Sequence, residues 1–185
     1  MELSSRLGRV VDEGELRRIW SGPSAEERAF LVRVVFEAED PEAVLAVARK
    51  TLAAVLGRVE SWPEDDGVWI DLLPAEFIGR CAPEPVETAR LDAPEEIARG
   101  TAWWSALTPE EKRAASEGPW MLSDWLYYFD PTTDGGGDDR SWWWWDAGID
   151  TSETGWIDVA TTGWPFGTGS LYWLIEASGG QNPHS

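Results

Sequence analysis

The chain has 185 residues, with 34 acidic and 15 basic side chains and a formal net charge of −19 at neutral pH. This length suits a single domain, and a hydrophobic content of 43% is too high for a disordered chain. A single cysteine, Cys81, and a single histidine, His184, argue against a disulfide framework, a Cys/His zinc site and a histidine-assisted nucleophile. No apolar run reaches the ~20 residues of a membrane helix and no secretory signal is visible, so we expect a cytoplasmic protein.

Residues 1–60 are predicted to form a helical hairpin layer. Ser24 and Glu27 have the spacing of a capping box ahead of a first helix. The apolar side chains that follow repeat at helical spacing: Leu31, Val34, Val35 and Ala38. Asp40 and Pro41 are typical of the start of a second helix. The buried face of this second helix would carry Val44, Val47, Ala48, Thr51 and Val55.

Residues 61–180 are predicted to form a tryptophan-rich α+β unit, and residues 181–185 a frayed tail. The pattern predicts a short strand at 68–73. Helices are predicted, in chain order, at 74–81, 94–107, 108–118 and 120–129. The last of these helices has a single apolar stripe, made of Leu122, Trp125, Leu126 and Phe129. An acidic, glycine-rich loop is predicted at 130–139.

Two strands near the C-terminus, 141–149 and 156–162, are predicted to pair as an antiparallel hairpin. A final helix follows residue 167, and Gly179-Gly180 is predicted to end it. The fold class is therefore α+β: a helical majority packs on a small antiparallel sheet, followed by a C-terminal helix. We expect a single domain over residues 1–180.

Several tryptophan-rich segments form a recognisable pattern. They are Trp-Met-Leu-Ser-Asp-Trp-Leu-Tyr-Tyr-Phe at 120–129, the four tryptophans at 142–145, Trp-Pro-Phe at 164–166, Leu-Tyr-Trp-Leu at 171–174, and the earlier Leu72-Leu73-Pro74, Phe77 and Cys81. Together they resemble a group of uncharacterised, tryptophan-rich actinobacterial proteins, over roughly residues 62–180. The resemblance implies a natural bacterial protein in the cytoplasm, and it implies no activity and no catalytic residue.

The four consecutive tryptophans at 142–145 are the most unusual feature of the sequence. Successive side chains of a strand point to opposite faces, so no single face can take all four. Strict alternation places Trp143 and Trp145 on the buried side, with Ala147 and Ile149. It places another set together on the opposite face: Trp142, Trp144, Trp156, Asp146 and Asp158.

Two interpretations of this second face remain open. Helices could cover both faces of the sheet, with the two aspartates at the margins or bonded to indole N–H groups. Alternatively, the face is an open aromatic and acidic surface. Indole rings attract cations, and neighbouring carboxylates strengthen that attraction. A large exposed tryptophan patch would itself argue for a partner.

The first functional hypothesis is a non-enzymatic acidic binding protein that captures a basic protein partner. It would resemble an immunity protein, an inhibitor or an adaptor, and Trp142, Trp144, Trp156, Asp146 and Asp158 would contact the partner. The strong negative charge argues against nucleic acid as a partner, and no membrane partner is expected. The oligomeric state is left open.

The alternative is an enzyme or small-ligand protein with a tryptophan-lined pocket, either glycosidase-like or amine-binding. Its candidate acid and base groups are Asp124, Asp146 and Asp158, each close to a tryptophan in the chain. No cofactor is expected, because the sequence has no phosphate-binding loop and no dinucleotide-binding glycine motif. No metal is expected, because the aspartates at 130–139 lack the spacing of a calcium loop.

Overall fold

The structure is a computed structural model. It describes residues 14–65, 67–84, 118–132 and 140–185, together with Ala102, Ser105, Ala106 and Thr108. Most of the helices predicted at 94–107 and 108–118 and most of the loop predicted at 130–139 lie outside these residues.

A four-stranded antiparallel sheet is the centre of the fold. Its strands are β1 (Leu31–Glu37), β2 (Trp142–Ile149), β3 (Thr154–Thr161) and β4 (Gln181–His184). Their spatial order is β2-β3-β1-β4, so β2 and β4 are the two edges. Helical residues outnumber strand residues, and the predicted α+β fold class is confirmed.

Six helices pack on one face and along one edge of this sheet. Residues 14–21 form α1, and the others are α2 (Pro41–Leu56), α3 (Gly67–Leu72), α4 (Ala75–Ile78), α5 (Leu122–Leu126) and α6 (Gly169–Ala177). A single 3-10 turn, Val59–Ser61, follows α2. All of these belong to the part of the chain that the structure describes.

The hydrophobic core lies between the helices and one face of the sheet, called the inner face below. The strands contribute fully buried side chains at Val34, Phe36, Ile157 and Val159. The helices contribute Leu45, Leu52, Trp125, Leu171 and Leu174, all nearly or completely buried. Burial of this apolar area is the main force that holds α2, α5 and α6 against the sheet.

Ser170, in the first turn of α6, connects two core tryptophans. Its backbone oxygen accepts a hydrogen bond from Trp125 Nε1 at 2.9 Å, and its hydroxyl accepts one from Trp142 Nε1 at 3.0 Å. A buried indole N–H without a partner costs free energy, so these bonds fix the positions of both rings. They also tie α5, α6 and β2 to one another.

Several predicted elements are confirmed. The second predicted helix is α2, with Pro41 in its first turn and the Asp40 carboxylate accepting a bond from Ala43 N at 3.0 Å. The predicted stripe of 120–129 is buried, and the hairpin is formed by β2 and β3. At the end of α6, Gly179 has φ +108°, and Gly180 N donates to Ile175 O as in a Schellman motif.

The first predicted helix is wrong, because Leu31–Glu37 is strand β1. The segment is rich in β-branched residues, which pack well on a pleated surface, and it lies between β3 and β4. The capping-box residues form only a turn: Glu27 Oε2 accepts a bond from Ser24 N at 2.6 Å. Residues 1–60 therefore do not form a helical hairpin layer, since β1 is a central strand of the sheet.

Two further predictions are wrong. Residues 68–73 were expected to be a strand but mostly belong to helix α3, where Trp69 and Leu73 are buried one turn apart. Asp65 assists the start of this helix, because its carboxylate accepts a bond from Gly67 N at 2.8 Å. The predicted tail forms β4, which pairs with β1 at Val35–His184 and Glu37–Gln181.

Helix α1 covers the exposed edge of β2 with charged side chains. Glu15 accepts a hydrogen bond from the backbone N of Trp144 at 2.7 Å, and Arg18 Nε donates to the backbone O of Trp144 at 3.1 Å. Glu15 also binds Arg140 through both of its oxygens, at 3.1 and 2.9 Å. All three charged side chains are buried, and Glu15 and Arg18 occupy the backbone N–H and C=O of Trp144 with which another strand could otherwise pair.

We expect Glu15→Gln to lower the free energy of unfolding by about 3 kcal/mol, because it removes the two charge-assisted bonds between Glu15 and the buried Arg140 guanidinium. Urea unfolding at pH 7 measures this change. Glu26→Gln is the matched control, since Glu26 is exposed and its loss should change stability by less than about 0.5 kcal/mol. Equal stability of the two variants would show that the buried pair does not hold α1 in place.

The turn at Glu27 predicts a specific dependence of stability on pH. The hydrogen bond from Ser24 N, with smaller contributions from Arg17 and Arg18, lowers the pKa of Glu27 from 4.5 to about 2. A carboxyl group with a lowered pKa stabilises the fold fully above its unfolded pKa, and this contribution is lost as the pH falls from 4.5 to about 2.

Glu27→Gln should therefore lower stability by about 1 kcal/mol at pH 7 and have a smaller effect near pH 2. Urea unfolding of both proteins at several pH values between 2 and 7 measures the difference. A constant difference over this range would contradict the assignment.

Candidate functional site

The face of the sheet opposite the helices, called the outer face below, carries a cluster of aromatic and charged residues. Asp146 of β2 pairs with Asp158 of β3, which in turn pairs with Arg33 of β1. Trp143, three residues before Asp146, and Trp156, two residues before Asp158, lie on the same face, and both are partly exposed. Of the predicted partner-binding residues, Trp156, Asp146 and Asp158 thus share one face as expected.

Trp142 and Trp144 are not on the outer face, and their predicted placement is wrong. Both are completely buried on the inner face. The physical reason is a β-bulge: Trp144 pairs with Val159 and Asp146 pairs with Asp158, so Trp145 is an additional residue in β2. A bulge inverts the alternation of the side chains that follow it. The sequence signal is the abrupt change from four indoles to Asp146.

Arg33 is the residue of this site that the sequence analysis did not identify. Its Nε and Nη2 donate to the two oxygens of Asp158, at 2.7 and 2.8 Å. Its guanidinium carbon lies 3.9 Å from the centre of the Trp156 ring, which is a close cation–π contact. Arg33 was placed in a helix by the sequence pattern, so its position opposite Asp158 could not be predicted.

The electrostatic environment of Arg33 is strongly negative. The hydrogen bonds that Arg33 donates to Asp158 raise the pKa of its guanidinium above its ordinary value, and the charges of Asp158, Asp150 and Asp146 raise it further. Three carboxylates therefore act on this guanidinium, and Asp158 is bonded to it directly. Arg33 has 53% of its side chain exposed, whereas Asp158 has 16%.

A second arginine, Arg49 of α2, approaches the same strand from the inner side. Its Nη2 donates to the backbone O of Ala147 at 3.1 Å, and its guanidinium carbon lies 5.8 Å from the Trp144 ring. Burial lowers the pKa of Arg49, and the charge of Asp146 partly opposes this effect. Arg49 thus supports the bulged part of β2 from the core side.

Gly148 provides the space in which the Trp156 ring lies. The two residues are paired across β2 and β3, and a Cβ atom at Gly148 would lie 2.7 Å from Cζ2 of the indole. Any larger residue at this position would displace the ring. The position of the indole under the Arg33 guanidinium therefore depends on the absence of a side chain at Gly148.

Asp124, the third candidate acid or base, is not close to the other two. It is an exposed residue of α5, which packs on the inner side of the sheet, whereas Asp146 and Asp158 lie on the outer face. Partial burial, and secondarily the charge of Glu84, raise the pKa of Asp124. Glu84 itself accepts bonds from the backbone N and hydroxyl of Ser123, at 2.9 and 2.8 Å.

A cavity of about 330 Å³ opens beside the β2–β3 turn. It is lined by Glu37, Ala38, Glu39, Glu153, Thr154 and Gln181. Its lining is acidic and contains no tryptophan, so this cavity does not match the tryptophan-lined pocket of the alternative hypothesis. Within the described ranges, no group of three or more His, Cys, Asp or Glu residues is placed to hold a metal ion.

Cys81 is half-buried, and its thiol donates to the backbone O of Phe77 at 3.6 Å. Burial, with a smaller effect of the charge of Glu84, raises the pKa of Cys81 to about 11. The thiol is therefore protonated at neutral pH, whereas a cysteine nucleophile acts as the thiolate.

No family model, curated protein or solved structure matches this chain. The resemblance to tryptophan-rich actinobacterial proteins therefore stays a prediction. In the part of the chain that the structure describes, every helix is too short or too polar to cross a bilayer.

We expect Gly148→Ala to lower the free energy of unfolding by about 1–3 kcal/mol, because the new methyl group would overlap the Trp156 ring. Urea unfolding measures the change. Gly163→Ala is the matched control, since a Cβ atom at Gly163 would meet no atom within 4 Å. A loss of stability in the control equal to that of Gly148→Ala would contradict the proposed overlap.

Proposed function

We propose that this protein is a non-enzymatic binding protein that captures a basic protein partner through its outer face. The observation that carries the proposal is the Arg33 guanidinium, which lies on the Trp156 ring and binds both oxygens of Asp158. The outer face thus already holds a cationic side chain of the chain itself. A partner with exposed basic side chains would offer the same kind of cationic group to Trp156 and Asp158.

The arrangement of charge on this face supports the proposal. The charges of Asp146, Asp150 and Asp158 all act on the Arg33 guanidinium, so carboxylates outnumber Arg33 near this position. The whole chain has a formal net charge of −19. Long-range attraction of this kind accelerates association with a cationic partner, by ~10–10³-fold in favourable cases.

The aromatic part of the surface differs from the one predicted from the sequence. The tryptophans of the outer face that a partner can contact are Trp143 and Trp156, and not the buried Trp142 and Trp144. Partly exposed tryptophans are frequent anchors of protein interfaces, since they bury a large area with little loss of conformational entropy. The proposal includes an immunity-, inhibitor- or adaptor-like role, a cytoplasmic location, and no nucleic acid among the partners.

The enzyme alternative has less support from the described residues. Both oxygens of Asp158 are already bonded to Arg33, so this carboxylate is occupied by a side chain of the protein itself. Asp124 lies on the other side of the sheet from Asp146 and Asp158, so it cannot form a catalytic pair with either of them. We therefore retain the binding protein as the single proposed function.

Charge reversal on the outer face tests the proposal. We expect Asp146→Lys/Asp158→Lys to weaken binding to a hexa-arginine peptide by at least about tenfold at low salt. Two carboxylates that attract the peptide are replaced by two ammonium groups that repel it. The same variant should show a smaller dependence of affinity on salt. Isothermal titration calorimetry at two salt concentrations measures both effects.

The matched control is Asp71→Lys/Glu76→Lys, which changes the net charge equally on α3 and α4, in the opposite layer. Both side chains are exposed, and this variant should keep most of the affinity. Circular dichroism and urea unfolding establish that the two variants are folded. Equal losses of affinity in both would show that total charge, and not the outer face, determines binding.

A further inference from the structure

We infer that the outer face binds an arginine of its partner in the position that Arg33 occupies in the free protein, so that Arg33 competes with the partner for this position. The inference rests on the proposed function and specifies the chemistry of the partner. It identifies the recognised group as a guanidinium and distinguishes an arginine-bearing segment from a lysine-rich one.

The geometry of the position fits a guanidinium better than an ammonium group. The two oxygens of Asp158 bind two different nitrogens of Arg33, at 2.7 and 2.8 Å. The same planar group lies 3.9 Å from the centre of the Trp156 ring. A guanidinium makes a two-pronged contact with a carboxylate and stacks on an indole at the same time, whereas an ammonium is a compact point charge.

The position is accessible from solvent and is built on rigid parts of the sheet. Trp156 and Asp158 belong to β3, a strand with neighbours on both sides, and the ring lies against Gly148. Arg33 reaches this position from β1 with 53% of its side chain exposed. More than half of the Arg33 side chain is exposed, so its guanidinium can turn into solvent, while Asp158, which is 16% exposed, stays in place on β3.

Charge complementarity identifies the occupant that would replace Arg33. Once Arg33 leaves, Asp158, Asp146 and Asp150 lose its positive charge, while Arg49 still acts on Asp146 from the inner side. A single incoming guanidinium restores the original contacts, and further basic side chains on the same segment would meet the remaining carboxylates. The occupant is therefore a basic partner segment that includes arginine.

Two substitutions of Arg33 test the competition. Arg33→Gln removes the competing group, and we expect it to bind a hexa-arginine peptide about fivefold more tightly than the unmodified protein. Arg33→Lys keeps the net charge at −19 but cannot make the two-pronged contact. We expect it to bind the peptide about twofold more tightly, and this gain cannot come from a change in total charge.

The matched control is Arg58→Gln, which removes one exposed positive charge beyond the end of α2, on the inner side of the sheet. It should stay within about 1.5-fold of the unmodified protein, because the distant charge acts only through the screened field. A hexa-lysine peptide serves as the second probe. The preference for hexa-arginine over hexa-lysine should increase in Arg33→Gln and decrease in Trp156→Leu, which removes the stacking surface.

The outcomes separate this inference from the proposed function. Unchanged or weaker hexa-arginine binding in both Arg33 variants, relative to Arg58→Gln, would overturn the competition. An equal gain for hexa-arginine and hexa-lysine would overturn the preference for a guanidinium. In either case the proposed binding function stands if Asp146→Lys/Asp158→Lys loses affinity for hexa-arginine and the control Asp71→Lys/Glu76→Lys does not. The binding function fails if these two variants bind the peptide equally well.

Discussion

The backbone of Trp144, at the edge of the sheet, is held by two buried charged side chains of α1. Glu15 accepts from its N–H and Arg18 donates to its carbonyl, while Arg140 balances the charge of Glu15. These contacts lie next to the bulge at Trp145, where β2 has one residue more than β3. The bulge determines which side chains face the core, so the division of the sheet into two faces depends on this edge.

That division separates the tryptophans by role. Trp142 and Trp144 fill the core, where Ser170 binds the first of them and Arg49 lies near the second. Trp143 and Trp156 lie on the outer face among carboxylates. A regular strand would have kept Trp142, Trp144 and Asp146 on the same face. With the two tryptophans in the core, Asp146 would then have pointed into the helical layer, where an unpaired charge is very unfavourable.

The outer face combines features that are each weak alone. An exposed ion pair contributes little, and a single half-buried tryptophan needs no functional explanation. Here the same guanidinium meets an indole ring and a carboxylate and lies in the field of two further aspartates. The contacts have the geometry of a cation-binding surface in which the chain supplies its own cation. This is why the binding interpretation is favoured over catalysis: Asp158 is already bonded to Arg33, and Asp124 lies on the other side of the sheet.

The local signals in the sequence were sufficient for elements whose stability is local. Asp40-Pro41 started α2, Gly179-Gly180 ended α6, and the apolar stripe of 120–129 was buried, because caps and helical periodicity act within a few residues. The sequence also determined the α+β class and the presence of Trp156, Asp146 and Asp158 on one face. The tertiary structure alone decided that Leu31–Glu37 is a strand, because its apolar spacing fits a helix and only pairing with β3 and β4 selects the extended form. It also decided the faces of Trp142 and Trp144, which depend on the bulge between β2 and β3. It decided the position of Arg33, since the register of β1 on β3 joins residues more than 100 positions apart.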